Sequence, residues 1–595
     1  MFDSRPRDPR REARAQAYAL HHPRLWGAEP LGQGQWRFAL WAPEARIVEL
    51  ELDGARRRME RDGEGFWRAT AVAKADSAYA FVVDGQATPD PLARAQTGAD
   101  VMGPSRLLDP RRHAWTSDWA GRPWEEAVVY ELHIGTFTAE GTWEAAARRM
   151  PDLAALGITA LEVMPVPHGP GMRGWGYDGA LLAAPHPAYG TPEDMKRFVE
   201  AAQAQGIMVL LDIVINHFAP QGSDIHRIAP GFFDPEESSP WGAAIDFGRP
   251  AVRQFFLDLC LGWITEYRLD GLRFDAVHEI RDPDSPVHFM EELGRAILSR
   301  DFGRPIHLVN EDARNAPKLI RDGFARAQWA DDFHHAMHPL LTGEGGGYMA
   351  EFAENPVEKL RHVLGQGFAQ PGKGAPEPAE GLPVYGLPWT AFVCHNQNHD
   401  QIGNRPDGAR LIDLVRDEKG LEVAHALLLT SPFVPMLWMG EEEGERGPFH
   451  YFCDVDEVLA EAIRKGRKEQ FGEMFGSDDF PDPNDPRTME ESRPFTASSS
   501  EHARHWRELT RRLLALRHER IVPLLKSGRA GPARVERRGP AALSATWPFQ
   551  GGFVVVHANL GTPPDEPPTA TEPQDLALGD VARDPYAFAL IVSRP

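Results

Sequence analysis

From about Trp124 onward the sequence alternates two kinds of segment. Apolar runs of strand length end in small polar clusters, and each is followed by a stretch with helical spacing. AVVYELHIGTF precedes WEAAARRMPDLAALG, ITALEVMPV precedes TPEDMKRFVEAAQAQG, and IMVLLDIVINHF precedes AVRQFFLDLCLGWITEYRL. LDGLRFDAV is followed by HFMEELGRAILSRD, and PIHLVNED is the fifth run. Runs this apolar must be covered on both faces, and a helix between successive strands makes the strands parallel. One helix start is explicit: Thr191 stands as a cap with Pro192 directly after it. At least eight such units fit before about residue 520, which predicts a closed (β/α)8 barrel in place of an open sheet.

The flanks read differently. Before about residue 118 the runs are short and alternate apolar with polar residues, as in WRFALWAPEARIVELEL and YAFVVDG, with Gly, Asp and Pro turns between. That pattern predicts an N-terminal antiparallel β-sandwich. The tail is β again, in LSATWPF, FVVVHANLG and YAFALIVSRP, with GTPPDEPPTATEPQ as a loop. The expected organisation is therefore multidomain: a sandwich over 1–118, the barrel over 119–520 and a small antiparallel β domain over 521–595. A chain of 595 residues is longer than one core normally serves. The Pro/Gly-rich stretch 365–388 is expected to be a surface loop.

A formal net charge of −23 argues against nucleic acid and anionic membranes as partners, since both recruit Lys and Arg. It leaves neutral ligands such as sugars open. Sixteen Trp suit the flat apolar faces of sugar rings, although packing is the ordinary role of a Trp. Cys260, Cys394 and Cys453 lack CxxC spacing, so neither a disulfide framework nor a zinc ribbon is expected. The N-terminal segment MFDSRPRDPRREARAQAYAL is charged and lacks the apolar stretch of a signal peptide. No apolar run is long enough for a transmembrane helix, and a cytoplasmic protein is expected.

The barrel strands end in polar clusters: Asp212 to Asn216-His217, Arg273-Phe274-Asp275, Asn310-Glu311-Asp312 and Asn398-His399-Asp400. A single strand-end Asp often caps the next helix. Four acidic ends on one rim are harder to explain so, because crowded carboxylates repel and desolvate one another. Chemistry in such barrels sits at the C-terminal ends of the strands. Two carboxyl groups flanking a bond, one attacking and one protonating the leaving oxygen, are what glycoside hydrolysis requires.

DIVINH, GLRFDAV, the glutamate of VNED and NHDQ, in that order, resemble the four signature regions of the α-amylase family, glycoside hydrolase family 13. The start, with WAPEARIVEL, resembles the N-terminal sandwich of glycogen-branching and debranching enzymes. The resemblance implies Asp275 as nucleophile, Glu311 as general acid/base and Asp400 as a third carboxylate binding ring hydroxyls. It further implies that Arg273 keeps Asp275 ionised, that His217 and His399 donate to the sugar at the cleavage point, that Tyr177 stacks on it and that Asp178 orients the loop. Asp212 is expected to support Arg273. Asn216 matches a calcium ligand of α-amylases, but its companion ligands are not identifiable, so no metal and no cofactor is expected.

Four further segments, YELHIGTFTAEGT, DDFHHAMH, NHDQIGNR and LWMGEEEGERGPFHYF, resemble one branch of that family. Its members cleave the α-1,4 bond next to the terminal trehalose of maltooligosyltrehalose. Its metabolic partner would be maltooligosyltrehalose synthase. His278 and Glu279 stand where many α-amylases have Lys-His, which points to a different leaving group. Gln401, Asn404 and Arg405, together with Glu441 and Glu442 of the GEE loop, are the expected walls of a pocket for that group, whereas Glu443 is expected to be solvated. The alternatives are a branching or debranching enzyme of the same family and a non-catalytic glucan-binding protein.

Overall fold

A computed structural model describes residues 21–593 apart from 240–241, 373–374, 376–377, 477–478, 494–499, 567 and 569–572. The N-terminal segment read above as lacking a signal peptide therefore lies, to residue 20, outside the described residues. The centre of the molecule is a closed barrel of eight parallel strands: β1 Val129–Leu132, β2 Ala160–Val163, β3 Met208–Ile213, β4 Gly271–Phe274, β5 His307–Asn310, β6 Ala327–Trp329, β7 Phe392–Cys394 and β8 Val434–Trp438. Each strand pairs with its sequence neighbour, and β1 closes the ring against β8. Val129, Met208, Leu210, Val309, Trp329, Val393 and Met436 fill its lower interior.

The strands are shorter than the apolar runs. IMVLLDIVINHF is β only as far as Ile213, and the polar residues that follow are loop. The expected helix WEAAARRMPDLAALG is two pieces, Trp143–Arg148 and Met150–Leu156, broken where Pro151 lacks an amide hydrogen to continue the ladder. The second piece ends on Gly157 at φ 112°, a left-handed position closed by amide bonds back to Leu153 and Ala154. Thr191 caps the helix Pro192–Ala204 in a capping box with Asp194. Gly365 and Gln366 belong to the helix Pro356–Gln366, so the loop expected over 365–388 begins later.

Before the barrel, two antiparallel sheets face each other. One contains Gly27–Gly32, Gln35–Trp41, Phe66–Val72 and Glu60–Arg61; the other contains Ala55–Arg58, Val48–Leu52, Ala78–Val83 and Gln86–Thr88, with Ser105–Arg106 also paired to Ala78–Val83. They lock onto the barrel through helix Pro250–Glu266. Arg24 and Arg94 both bond Glu266 at 2.8 Å, Arg94 also reaches Glu29 at 2.9 Å, and all four groups are buried. Trp26 packs edge-on against Phe232 and Phe255 beside them, and its indole donates to the Ala251 carbonyl at 3.0 Å. After the barrel, a five-stranded antiparallel sheet runs from Arg534–Gly539 to Tyr586–Ser593. Cys260, Cys394 and Cys453 are free and buried. No described helix is long and apolar enough to cross a membrane.

Candidate active site

Barrel register sets the height of the acidic groups. Phe274 of β4 pairs with Asn310 of β5, so the next residues, Asp275 and Glu311, emerge side by side at the rim. Asp212 of β3 pairs with Arg273 of β4 one step below. The Arg273 guanidinium is buried, lies 4.1 Å over the Trp329 ring, and donates from Nη1 to both Asp212 oxygens at 2.9 Å and to Asp275 Oδ1 at 2.8 Å. Its Nη2 is 3.8 Å from Glu311 Oε2. Ala276, directly after Asp275, sits in the left-handed region at φ 42°, a strained conformation for a residue with a β-carbon. That conformation turns the Ala276 amide onto Glu311 Oε2 at 2.6 Å.

The two rim carboxyls have different surroundings. Burial lifts Glu311 to about 8, with Asp275 adding to the lift and Arg273 opposing it. Asp275 instead has the direct contact with the Arg273 guanidinium. One acid therefore keeps its proton at neutral pH beside another that is salt-bridged. Burial also lifts Asp212, to about 6, against the pull of Arg273.

Asp400 follows β7 by a short turn. Burial would raise its carboxyl, but the charge of His399 and its hydrogen bond overcome that and hold it at about 2. His399 itself is buried: Nδ1 bonds Glu131 Oε1 at 2.5 Å, and Nε2 lies 2.9 Å from the Tyr177 hydroxyl and 3.3 Å from Asp400. The ring expected to donate to the sugar is thus engaged below it. Tyr177 stacks on His399 at 24°, and its hydroxyl donates to Asp212 at 2.7 Å. His217 bonds Asn216 Oδ1 at 2.7 Å and the Tyr177 carbonyl at 3.2 Å, while Asn216 Nδ2 approaches Asp275 at 3.4 Å. Asn216 is thereby used to hold neighbours. Among the described residues no group of three or more His, Cys, Asp or Glu side chains is arranged to hold a metal. Asp178, lifted by burial, meets Tyr451.

Gln401, Asn404 and Arg405 line a cavity of about 270 Å³ beside Asp400, with His338, Glu344 and Phe475 among the other walls. Arg405 forks onto Glu344 at 2.9 and 3.1 Å, and Asn404 Nδ2 reaches Asp400 at 3.4 Å. Gln401 spends its carbonyl on the Asn398 amide at 2.8 Å, closing a capping box. His278 and Glu279 form a short turn, Val277–Glu279, just after Asp275. The GEE loop is a correction. Glu441 and Glu442 do not reach the cavity: Glu441 accepts from the Trp438 amide at 2.7 Å, and Glu442 from the Tyr130 hydroxyl at 2.9 Å, both beneath the rim. Glu443, expected in solvent, is only 3 % exposed and pairs with Arg507. The helix Glu501–Leu516 packs over this loop and buries all three acids. Sequence reasoning also missed Glu131, Asp331, His338 and Glu344. A lone Glu within the apolar run VVYEL was a usable signal for the first; the other three are placed by the helix Asp332–Thr342 and the turn after it, which no local pattern aims at the site.

A family model described as "Alpha amylase, catalytic domain" matches residues 103–227, and one described as "Carbohydrate-binding module 48 (Isoamylase N-terminal domain)" matches residues 25–107. The chain is 40% identical over 588 residues to the malto-oligosyltrehalose trehalohydrolase of Rhizobium sp. strain M-11, covering 93% of this chain and 96% of that one. The chain belongs to the malto-oligosyltrehalose trehalohydrolase family. The member from Mycobacterium tuberculosis strain H37Rv is 38% identical over 504 residues, 81% of this chain and 86% of its own. A crystal structure described as an alpha amylase from Salmonella typhimurium superposes with a TM-score of 0.91 at 41% identity, covering 96% of this chain and all of that one. A pullulanase complexed with maltotetraose, from Anoxybacillus, shares the fold at 17% identity and a TM-score of 0.69.

Proposed function

We propose that this protein hydrolyses the α-1,4 bond joining a maltooligosaccharide to its terminal trehalose, with retention of configuration. The observation that carries the reading is the pairing of Glu311, held protonated by burial, with Asp275, held by Arg273, on neighbouring strand ends. In the first step the Asp275 carboxylate attacks the anomeric carbon of the glucan while Glu311 protonates the departing oxygen, so trehalose leaves and a glycosyl ester forms on Asp275. In the second, Glu311 takes a proton from water, which attacks the same carbon, breaks the ester and releases the maltooligosaccharide as the α-anomer. Asp400 binds hydroxyls of the distorted ring and favours the positively charged transition state. His217, Tyr177 and Asp178 shape the subsite at the cleavage point. Arg273, Asp212 and Asn216 hold the nucleophile.

The cavity lined by Gln401, Asn404 and Arg405, with His278 and Glu279 across the nucleophile, is assigned to the trehalose end. A recess that combines the hydrogen-bonding groups of Gln401, Asn404 and Arg405 with an apolar wall at Phe475 suits a disaccharide that has no reducing end. The substrate would be supplied by an enzyme that converts the end of a glucan into trehalose, maltooligosyltrehalose synthase, as a metabolic neighbour in the cytoplasm. The division at about residues 118 and 520 is part of the reading; the first two sheets end at Arg106 and the last begins at Arg534. The test is to incubate the protein with maltooligosyltrehalose and separate the products. Trehalose and a linear maltooligosaccharide are expected. Glucan transfer, or cleavage at α-1,6 points, would instead identify a branching or debranching enzyme.

A further inference from the structure

Glu131 is an acid on β1 inside the barrel, 1 % exposed, below the rim carboxylates. One of its oxygens meets His399 Nδ1 at 2.5 Å and the other accepts the His399 backbone amide at 3.2 Å. On the far side of the ring, Nε2 faces the Tyr177 hydroxyl at 2.9 Å and Asp400 Oδ1 at 3.3 Å. The Tyr177 hydroxyl has one hydrogen, and it points to Asp212 at 2.7 Å. Toward His399 that oxygen can only accept, as can Asp400. With a carboxylate at Nδ1 and acceptors at Nε2, both ring nitrogens must donate, which only the imidazolium does. The rings of Trp175, Trp329 and Trp438 enclose it and exclude water. The other ionisable groups turned toward it are Glu162 on β2, Asp212 on β3, His133 after β1 and His395 after β7. Neither Glu162 oxygen has a hydrogen-bond partner among the described residues, and burial pushes its carboxyl well above the ordinary carboxylate range.

We propose that Glu131 is a positioning residue for the hydrolysis: it fixes His399 as a doubly donating cation, so that Asp400 meets the sugar as a carboxylate backed by a fixed positive charge. The inference rests on the role given to Asp400 above. Burial alone would strip the ring of its proton; the carboxylates of Asp400 and Glu131 together prevent that. Removing Glu131 takes away one of the two carboxylates that hold the proton and leaves the cost of burial, so the ring should release its proton at lower pH than in the wild type.

The test combines Glu131→Gln and Glu131→Asp with 13C NMR of protein labelled at histidine Cε1, the His399 signal being assigned by its loss in His399→Gln. In the wild type that signal should stay in its protonated position past about pH 8, well beyond an ordinary histidine. In Glu131→Gln it should titrate below about pH 8, and turnover should fall roughly tenfold or more at about pH 7.5 but only about threefold at about pH 5, where the ring regains its proton. Glu131→Asp, which keeps the charge, should lose less and without this dependence on pH. A loss by the same factor at every pH, or a wild-type ring that deprotonates below about pH 7, would overturn the proposal. The wild-type titration decides even if Glu131→Gln fails to fold. It also separates the two readings: a wild type that turns over no glucan refutes the proposed reaction, while the His399 titration still reports on Glu131.

Discussion

Replacing the proposed acid/base, Glu311→Gln, should remove turnover and at the same time make the protein more stable in alkali. In the folded site burial keeps the Glu311 proton up to about 8, whereas an unperturbed glutamate ionises near 4.5. Below that lower value the folded and unfolded states both carry the proton. Between the two values only the folded state does, so stability falls by about 1.4 kcal/mol for each pH unit. Above about 8 both states are ionised and the loss stops. The accumulated difference approaches about 5 kcal/mol, an upper figure because Asp275 shares the interaction and the effective dielectric is that of a partly solvated site. Glutamine has nearly the same shape, stays neutral at every pH, and can still accept the Ala276 amide that Glu311 accepts at 2.6 Å. Urea unfolding followed by tryptophan fluorescence should give similar midpoints for the two proteins at about pH 5 and a more stable variant at about pH 8.5, by roughly 2–4 kcal/mol. The kcat/KM profile of the wild type should fall on its basic side near 8. The variant should lose that limb together with roughly a thousandfold or more of its activity. Equal stability differences at both pH values, or a variant less stable in alkali, would refute the buried, protonated state of Glu311.

Three other outcomes are expected. NMR of the first-formed reducing sugar should show the α-anomer; the β-anomer would remove the nucleophile role of Asp275. Activity on maltooligosyltrehalose should exceed that on the plain maltooligosaccharide of equal length by roughly a hundredfold in kcat/KM, about 2.7 kcal/mol, and Arg405→Ala should shrink that ratio; equal rates would detach the cavity from the trehalose end. Glu266, which joins the sandwich to the barrel, has its carboxyl held down to about 2 by Arg24 and Arg94 against the cost of burial. It therefore contributes stability above the ordinary carboxyl range that is lost as pH falls toward 2, roughly 3 kcal/mol in all, and Glu266→Gln should flatten the acid limb of a thermal-unfolding profile. An unchanged acid limb would show that the ion pairs there contribute nothing.

The barrel was legible because its signal is local and repeated. Each strand had to be apolar over its length, each helix carried its own spacing, and the order of the units fixed a parallel ring before any contact was known. The rim acids were legible for a related reason: Asp275 and Glu311 stand at the ends of apolar strands and Asp400 closes the polar cluster after β7, and a strand end in a barrel has only one rim to reach. What those acids do to one another was decided in three dimensions. Pairing of Phe274 with Asn310 sets Asp275 and Glu311 at one height, and the strained turn at Ala276 aims an amide at Glu311. Neither is visible in the letters, because register and left-handed backbone are imposed by neighbouring strands. Burial was the least readable property. Glu443 reads as solvated and Glu441 and Glu442 as pocket walls, yet all three are buried beneath a helix about sixty residues later in the sequence. Glu131 looks like an interruption in an apolar strand, yet it meets His399, 268 positions away. A charged side chain can lie inside a protein only where partners from distant segments converge on it, so the tertiary structure alone determines which acids are solvated and which are part of the site.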